Sequence, residues 1–366
     1  RASRHRQKKN PINPVNPGQK KERSASMKKT GFVCLILMVT VAVGLVITPP
    51  AMSEPIIMKF GLAAPDINPS FWATHYNMFK YEVERKSNGR IKVELIWGGA
   101  LGSPSDRLKQ VMMGQIQGAD TAEGPIAQVF KPVQVFSIPY LFENEFQAWR
   151  VYDGPFVREM NELLRQKTGL RILHWWESGG FKQWTNSKRA IQTPADMNGL
   201  KLRVMPSPVF QKLVESLGGS PTPISFGELY GALKNKAVDG QNNALSLVSL
   251  FKYYQVQKYV TVDNHVYAVS AMVINDKFYQ SLPDDLKTVI DNAQKLALAV
   301  NRGVSRYTDH VAIDNLKANG MQVYLPTAAE RKAFKDTAQA PVVKWLREES
   351  GDKWVDGMLR AAEAAK

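Results

Sequence analysis

Arg203 stands in the run Gly199–Met205, GLKLRVM, where Leu200, Leu202 and Val204 alternate with Lys201, Arg203 and Met205. A period of two is the pattern of a strand with one face on a core, and it turns Arg203 away from Leu202. A planar guanidinium held there can grip a carboxylate through two parallel hydrogen bonds. The competing reading is an arginine on a solvated strand face. Downstream, the chain continues through TPISFGELYGALKNKAVDGQ to Asn242-Asn243, so the stretch reads strand, helix, strand, helix and turn.

Other chemistry is scarce. The sequence contains no G-x-S-x-G elbow, no phosphate loop of the G-x-x-x-x-G-K-[ST] type and no H-E-x-x-H. Beyond residue 53 the histidines are His75, His174, His265 and His310, none spaced in sequence as metal ligands, and each is read as structural. Gly98-Gly99-Ala100-Leu101-Gly102 lacks the G-x-G-x-x-G spacing and is read as a tight turn. No cofactor and no metal are expected. Lys182 and Trp184, two apart in a strand, should project from one face. Trp72 opens a helix, and Trp175-Trp176 close a strand. These aromatic rings are expected mostly in packing, with a share in ligand contact.

The net charge of +15 over 366 residues invites a nucleic-acid partner, but its distribution argues against one. Residues 1–26 are basic, rich in Asn, Pro and Gln, and without apolar periodicity, which reads as a disordered extension. Met27-Lys28-Lys29, the apolar run 31–47 and Ala51-Met52-Ser53 have the form of a cleaved secretory signal peptide, with Met27 as the expected start; an uncleaved anchor is the alternative. Ten of the 48 basic residues and one of the 33 acids lie in 1–53, so the remaining chain carries only +6 and no nucleic-acid partner is expected. The only cysteine, Cys34, lies in the apolar run, so the exported chain has no thiol chemistry and relies on its cores.

From residue 56 the pattern is strand (Ile56–Ala64), helix (Phe71–Ser87), strand (Arg90–Trp97), helix (Pro104–Gly118) and a short strand to Glu123. Such alternation predicts α/β units on a largely parallel sheet. Helices over Glu145–Tyr152 and Pro155–Lys167 come next, then strands Gly169–Glu177 and Phe181–Asn186 separated by a flexible Gly179-Gly180. Leu245–Lys252 reads as a helix, and Lys258–Val262 and Val266–Asn275 as strands. After Pro283 the chain is mostly helical, interrupted by a strand at Gly320–Leu325.

Thr193-Pro194-Ala195-Asp196-Met197-Asn198-Gly199-Leu200-Lys201-Leu202-Arg203-Val204 resembles the T-P-x-D-x-x-G-x-K-[IL]-R-V segment of TRAP-transporter substrate-binding proteins, the DctP-type family. Phe226-Gly227-Glu228-Leu229-Tyr230 and Ala237-Val238-Asp239-Gly240-Gln241 extend the resemblance, with weaker echoes at Leu101-Gly102, Ile138–Phe142 and Leu282–Leu286, in order from about residue 56 to the C-terminus. The resemblance implies an α/β fold of two domains, each a mixed sheet flanked by helices, with a ligand cleft between them and long C-terminal helices. The expected bodies are 54–180 with 267–307, and 181–266 with 308–366. It also implies a periplasmic, monomeric binding protein that is no enzyme and that passes a small carboxylate to the small and large integral membrane subunits of an ion-driven transporter.

In the same terms Arg203 matches the arginine that clamps the ligand carboxylate, and Asn243 an asparagine beside it, with a helix N-cap as its alternative role. Lys182 stands where the family has a second arginine, a point charge in place of a fork. Asn242 stands where the family often has glutamate. Phe226 and Glu123 match cleft-lining positions, Glu123 as an acceptor for ligand hydroxyl or amino groups. Two other functions share these features: an exported receptor feeding a membrane sensor, and a secreted enzyme on the same scaffold, which the missing cysteine and the absence of histidine pairs in the sequence disfavour.

Overall fold

The computed structural model describes residues 54–366; the expected leader, with Met27 and Cys34, lies outside them. In chain order the strands are β1 (Ile56–Gly61), β2 (Ile91–Ile96), β3 (Gly118–Ala122), β4 (Leu170–Asn186), β5 (Lys201–Val204), β6 (Ser220–Pro223), β7 (Gly240–Ala244), β8 (Tyr259–Asn275) and β9 (Gln322–Tyr324). The helices are α1 (Phe71–Lys86), α2 (Pro104–Met112), α3 (Glu123–Ala127), α4 (Glu145–Tyr152), α5 (Pro155–Thr168), α6 (Pro208–Ser216), α7 (Leu229–Lys234), α8 (Leu245–Leu250), α9 (Asp276–Ser281), α10 (Asp284–Ala318), α11 (Ala328–Ser350) and α12 (Asp352–Ala364). Local chemistry sets several of these limits. Ser70 caps α1 by accepting from the Ala73 amide, and Ser103 with Asp106 and Thr327 with Glu330 form capping boxes at α2 and α11. Gly169, at φ 70°, ends α5 in the left-handed region that favours glycine.

The strands form one sheet in the order β2-β1-β3-β8-β4-β7-β5-β6, with β9 beside the start of β8. The β1–β2, β1–β3, β5–β6, β5–β7 and β8–β9 pairs are parallel, whereas β3–β8, β4–β7 and β4–β8 are antiparallel. The sheet is therefore mixed, and the expectation of a largely parallel one fails where β4 and β8 enter. Each of these strands has 17 residues and runs through both halves of the sheet. Gly179-Gly180 does not end a strand as expected: β4 passes through it with a register shift between Glu177 and Gly180, with φ at 87° and 101°. The break expected between Val262 and Val266 is likewise an excursion inside β8, with Asn264 at φ 54°.

Adjacent tryptophans show how β4 divides the interior. Trp175 belongs to the core under α4, α5, α6, α11 and α12, and Trp176 to the core between α1 and the first part of α10. A third core gathers Leu229, Val248 and Tyr253 with Ala312 and Leu316 near the end of α10. At 35 residues, α10 is about 50 Å long, enough to pack on both halves. Where it passes the crossing strand, the Asn301 side chain accepts from the Glu177 amide and donates to the Glu177 and Phe71 carbonyls, and Ser305 donates to the Glu177 carbonyl. The C-terminal helix α12 returns to the first half: Trp354 packs on Phe156, and Gln147 donates to the Ala362 carbonyl.

Candidate functional site

A cavity opens where the carboxyl ends of β3, β5 and β7 meet the turn after β1, the start of α2 and the crossing strand β4. In open α/β sheets the carboxyl ends of parallel strands are where ligands settle, because the loops diverge there and leave backbone groups free. Six of the seven residues singled out from sequence line this cavity: Trp72, Glu123, Lys182, Arg203, Phe226 and Asn243. Trp184 does not. Between the partners of Lys182 and Trp184 in β8 the register jumps from Val266 to Thr261, and that excursion covers the indole. His265 stacks on Trp184 at 4.1 Å between centroids, and Asp263 accepts from its Nε1 at 3.1 Å. Period-two spacing along β4 cannot foresee residues folded in from β8.

Arg203 lies in β5 opposite Thr222 of β6 and Gln241 of β7, and is 2 % exposed. The solvated-face alternative is thereby removed. Its Nε donates to the Ile224 carbonyl at 2.9 Å, and among the described residues no carboxylate comes within ion-pair distance of the guanidinium. Burial lowers its pKa to about 10, so it stays cationic at neutral pH. A buried charge without a partner is costly, and it favours an incoming anion.

Lys182 is also buried, in β4, with its Nζ 5.2 Å from the centre of the Phe210 ring. Burial lowers this amine to about 8, the nearby Glu123 charge opposing the shift and Arg203 adding to it. Glu123 opens α3; Ser137 donates to its Oε1 at 3.1 Å, while the buried Oε2 has no partner. Burial raises the pKa of Glu123, and the Lys182 charge works against that rise. Asn243 sits inside β7 and not at a helix N-cap, since α8 begins after Ala244. Its Nδ2 donates to Gln241 Oε1, and Gln241 in turn donates to Thr185, so the amide is held in a chain of buried side chains. Asn242 turns elsewhere, to His265 Nε2 at 3.1 Å.

The lining residues that were not foreseen include Arg107 and Asp120. Arg107 of α2 and Asp120 of β3 form a buried ion pair at 2.7 Å, and Asp120 also accepts from the Ala63 amide and from Trp72 Nε1 at 2.8 Å. Asp120 thus sets the angle at which the Trp72 indole faces the cavity. In sequence Arg107 reads as an ordinary helix position after a capping box, and only the packing of α2 on β3 reveals its partner. Trp72 reaches Phe226 across the cavity, 6.0 Å between ring centres. On the same divide, α3 lies so close to the chain after β5 that a Cβ on Gly124 would be 2.7 Å from Met205 Sδ and 3.0 Å from Ser207 Cβ.

The histidines expected to be structural contain one contact that sequence spacing hid. His75 Nε2 and His174 Nε2 are 2.7 Å apart in the core, and Gln294 meets His174 Nδ1 at 2.8 Å. Among the described residues no group of three His, Cys, Asp or Glu side chains is arranged to hold a metal ion. Nor is any described helix long and apolar enough to cross a membrane.

Residues 60–349 match the family described as DctP, bacterial extracellular solute-binding protein, family 7. A solute-binding protein of Verminephrobacter eiseniae is 35% identical over 246 residues, covering 67% of this chain and 72% of that one. The sugar acid binding protein of Advenella mimigardefordensis, solved with galactonate, superposes with a TM-score of 0.81 at 34% identity, covering 86% of this chain and 99% of its own. A TRAP periplasmic solute binding protein of a Polaromonas species, solved with D-erythronate, gives 0.78 at 29% identity, with 83% and 98% covered. With its family match spanning most of its length, its two-lobed α/β architecture and a cavity built around an unpaired buried arginine, the chain belongs to the DctP family of bacterial extracellular solute-binding proteins.

Proposed function

We propose that this protein captures a small organic acid with one carboxylate and several hydroxyl groups, and delivers it in the periplasm to the small and large membrane subunits of a TRAP-type transporter. The observation that carries the reading is Arg203, a buried guanidinium with no carboxylate of its own. Charge counting favours a singly charged ligand. Arg107 and Asp120 neutralise each other, and Lys182 has Glu123 nearby, which leaves Arg203 as the unmatched cation. The unpartnered Oε2 of Glu123 and the hydroxyls of Ser105, Thr121, Ser178, Ser225 and Ser270 suit a hydroxylated chain. The galactonate and D-erythronate bound by two relatives are acids of this kind.

Closure on the ligand is proposed as a hinge motion at Gly179-Gly180 and the facing part of β8. One body holds 54–180 and 267–307, the other 181–266 and the chain from 308, except that α12 moves with the first body, on which it packs. Hinge closure of this sort is general among periplasmic binding proteins.

Calorimetry with erythronate, galactonate and succinate tests the ligand class. The hydroxy acids should bind at least tenfold more tightly, and equal or better succinate binding would overturn the single-carboxylate reading. Arg203→Ala should keep its unfolding temperature and lose roughly a hundred- to ten-thousand-fold in affinity, since each charge-assisted hydrogen bond is worth about 1.5–3 kcal/mol. Retention of wild-type affinity in that variant would remove Arg203 from the role of clamp.

A further inference from the structure

Lys182 is the only lysine lining the cavity, and its chemistry goes beyond supplying charge. Its amine makes no hydrogen bond or ion pair with any described residue; Phe210 covers it on one side. The strand order places β7 between β4 and β5, and on β7 Lys182 pairs with Ala244 and Arg203 with Gln241, so their backbones are two strand spacings across and three residues along, about 14 Å apart. Asn243 lies between them, and both long side chains extend into the one cavity. With both side chains in that cavity, a carboxylate held by Arg203 can turn its neighbouring carbon towards Lys182. Glu123, with Oε2 free and buried, lines the same space.

We propose that Lys182 forms a reversible imine with acids that carry a carbonyl next to the carboxylate, making the cavity a covalent trap for 2-oxo acids. This rests on the reading of Arg203 as the carboxylate clamp. In the first step the Nζ lone pair attacks the C2 carbonyl carbon, the carbonyl π pair moves to oxygen, and a proton passes from nitrogen to that oxygen to give a carbinolamine. In the second, the Glu123 carboxyl protonates the hydroxyl, which leaves as water while the nitrogen lone pair closes the C=N bond. The nitrogen's remaining proton returns to Glu123. No oxidant or reductant is consumed, and addition of water restores the oxo acid and the free amine unchanged.

The electrostatics favour each role. Burial brings the Lys182 ammonium down to about 8, so a useful fraction is free amine near neutral pH, whereas an exposed lysine is almost wholly protonated. Burial also pushes Glu123 upward, toward a carboxyl that can lend a proton. An arginine in place of Lys182 would supply charge without a nucleophile.

The test is borohydride trapping on the intact protein, read by mass spectrometry of the whole chain and of its peptides. Pyruvate and 2-oxogluconate are the probes, lactate and gluconate the controls, and calorimetry records binding of all four without borohydride. Hydride transfer to the C=N bond should fix one acid per chain on Lys182 with the oxo acids and none with the hydroxy acids. The adduct should disappear in Lys182→Arg and fall at least tenfold in Arg203→Ala, with folding of both checked by thermal unfolding. If the oxo acids bind in calorimetry and leave no adduct on Lys182, the imine is overturned while the carboxylate reading stands. If adduct forms equally in Arg203→Ala, Lys182 is merely a reactive amine and the trap is overturned. If none of the four acids binds, both readings fall together.

Discussion

Glu123 holds one carboxylate oxygen with Ser137 and leaves the other unpartnered in the cavity. Glu123→Gln preserves the volume but replaces one acceptor with a donor, so discrimination between erythronate and succinate should shrink by about tenfold, roughly one hydrogen bond to a charged group. Competition calorimetry would record it, and an unchanged ratio would place the hydroxyl acceptor elsewhere. The buried imidazole pair predicts a pH effect. A hydrogen bond between two Nε2 atoms needs one protonated and one bare nitrogen, so a second proton breaks it. Burial lowers His75 well below its usual range and His174 to about 4. Between pH 6.5 and 4 the unfolded chain therefore binds more protons than the folded one, and stability falls as pH falls through that window. The urea midpoint should drop from pH 7 to pH 4.5, and His174→Gln should flatten the drop.

At the level of elements, the crossing point of β4 combines a strained turn with a buried acid. Gly179 has φ at 87°, and a Cβ there would lie 2.3 Å from Ser246 Oγ and 3.1 Å from Ala244 Cβ. Gly179→Ala should destabilise the fold by about 1–3 kcal/mol, the usual cost of an unfavourable backbone region with a clash, read from urea unfolding. Next to it, Glu177 receives hydrogen bonds at Oε2 from Trp149 and Tyr267, and its Oε1 is buried without a partner. Burial raises its pKa to about 7. Here the folded state binds the extra proton, so this contribution is present below about pH 4.5 and is lost as pH rises through 7, opposite in sign to the histidine pair. Glu177→Gln should raise the urea midpoint more at pH 8 than at pH 5.

Over the whole molecule, Trp72 against Phe226 and α3 against Met205 join the two halves of the sheet around the cavity. Gly124 permits the second approach because any Cβ would meet Met205 and Ser207. Gly124→Leu should hold the halves apart: wild-type protein should contract on ligand addition in small-angle scattering, and in the variant that contraction should vanish and the affinity for erythronate should fall. Contraction equal to wild type in the variant would mean that closure does not require this contact.

Much of this architecture can be read along the chain. Alternation in GLKLRVM places Arg203 on a strand, and caps at Ser70, Ser103 and Thr327 begin helices where periodicity says they begin. These are consequences of backbone spacing over a few residues, so they need no knowledge of distant partners. Of the expected cavity lining, Trp72 and Trp184 rest on helix and strand placement and the other five on a family resemblance laid on that frame; six of the seven line one space. What tertiary structure decided involves residues far apart in sequence. The excursion of β8 buries Trp184, the passage of β4 and β8 through both halves makes the sheet one and mixed, and α2 packing on β3 pairs Arg107 with Asp120. His75 and His174, 99 residues apart, meet only because α1 lies against β4. Local pattern sets which elements form; the burial of large apolar faces decides which of them meet, and those meetings determine whether Arg203 has a protein carboxylate for company or waits for one from solution.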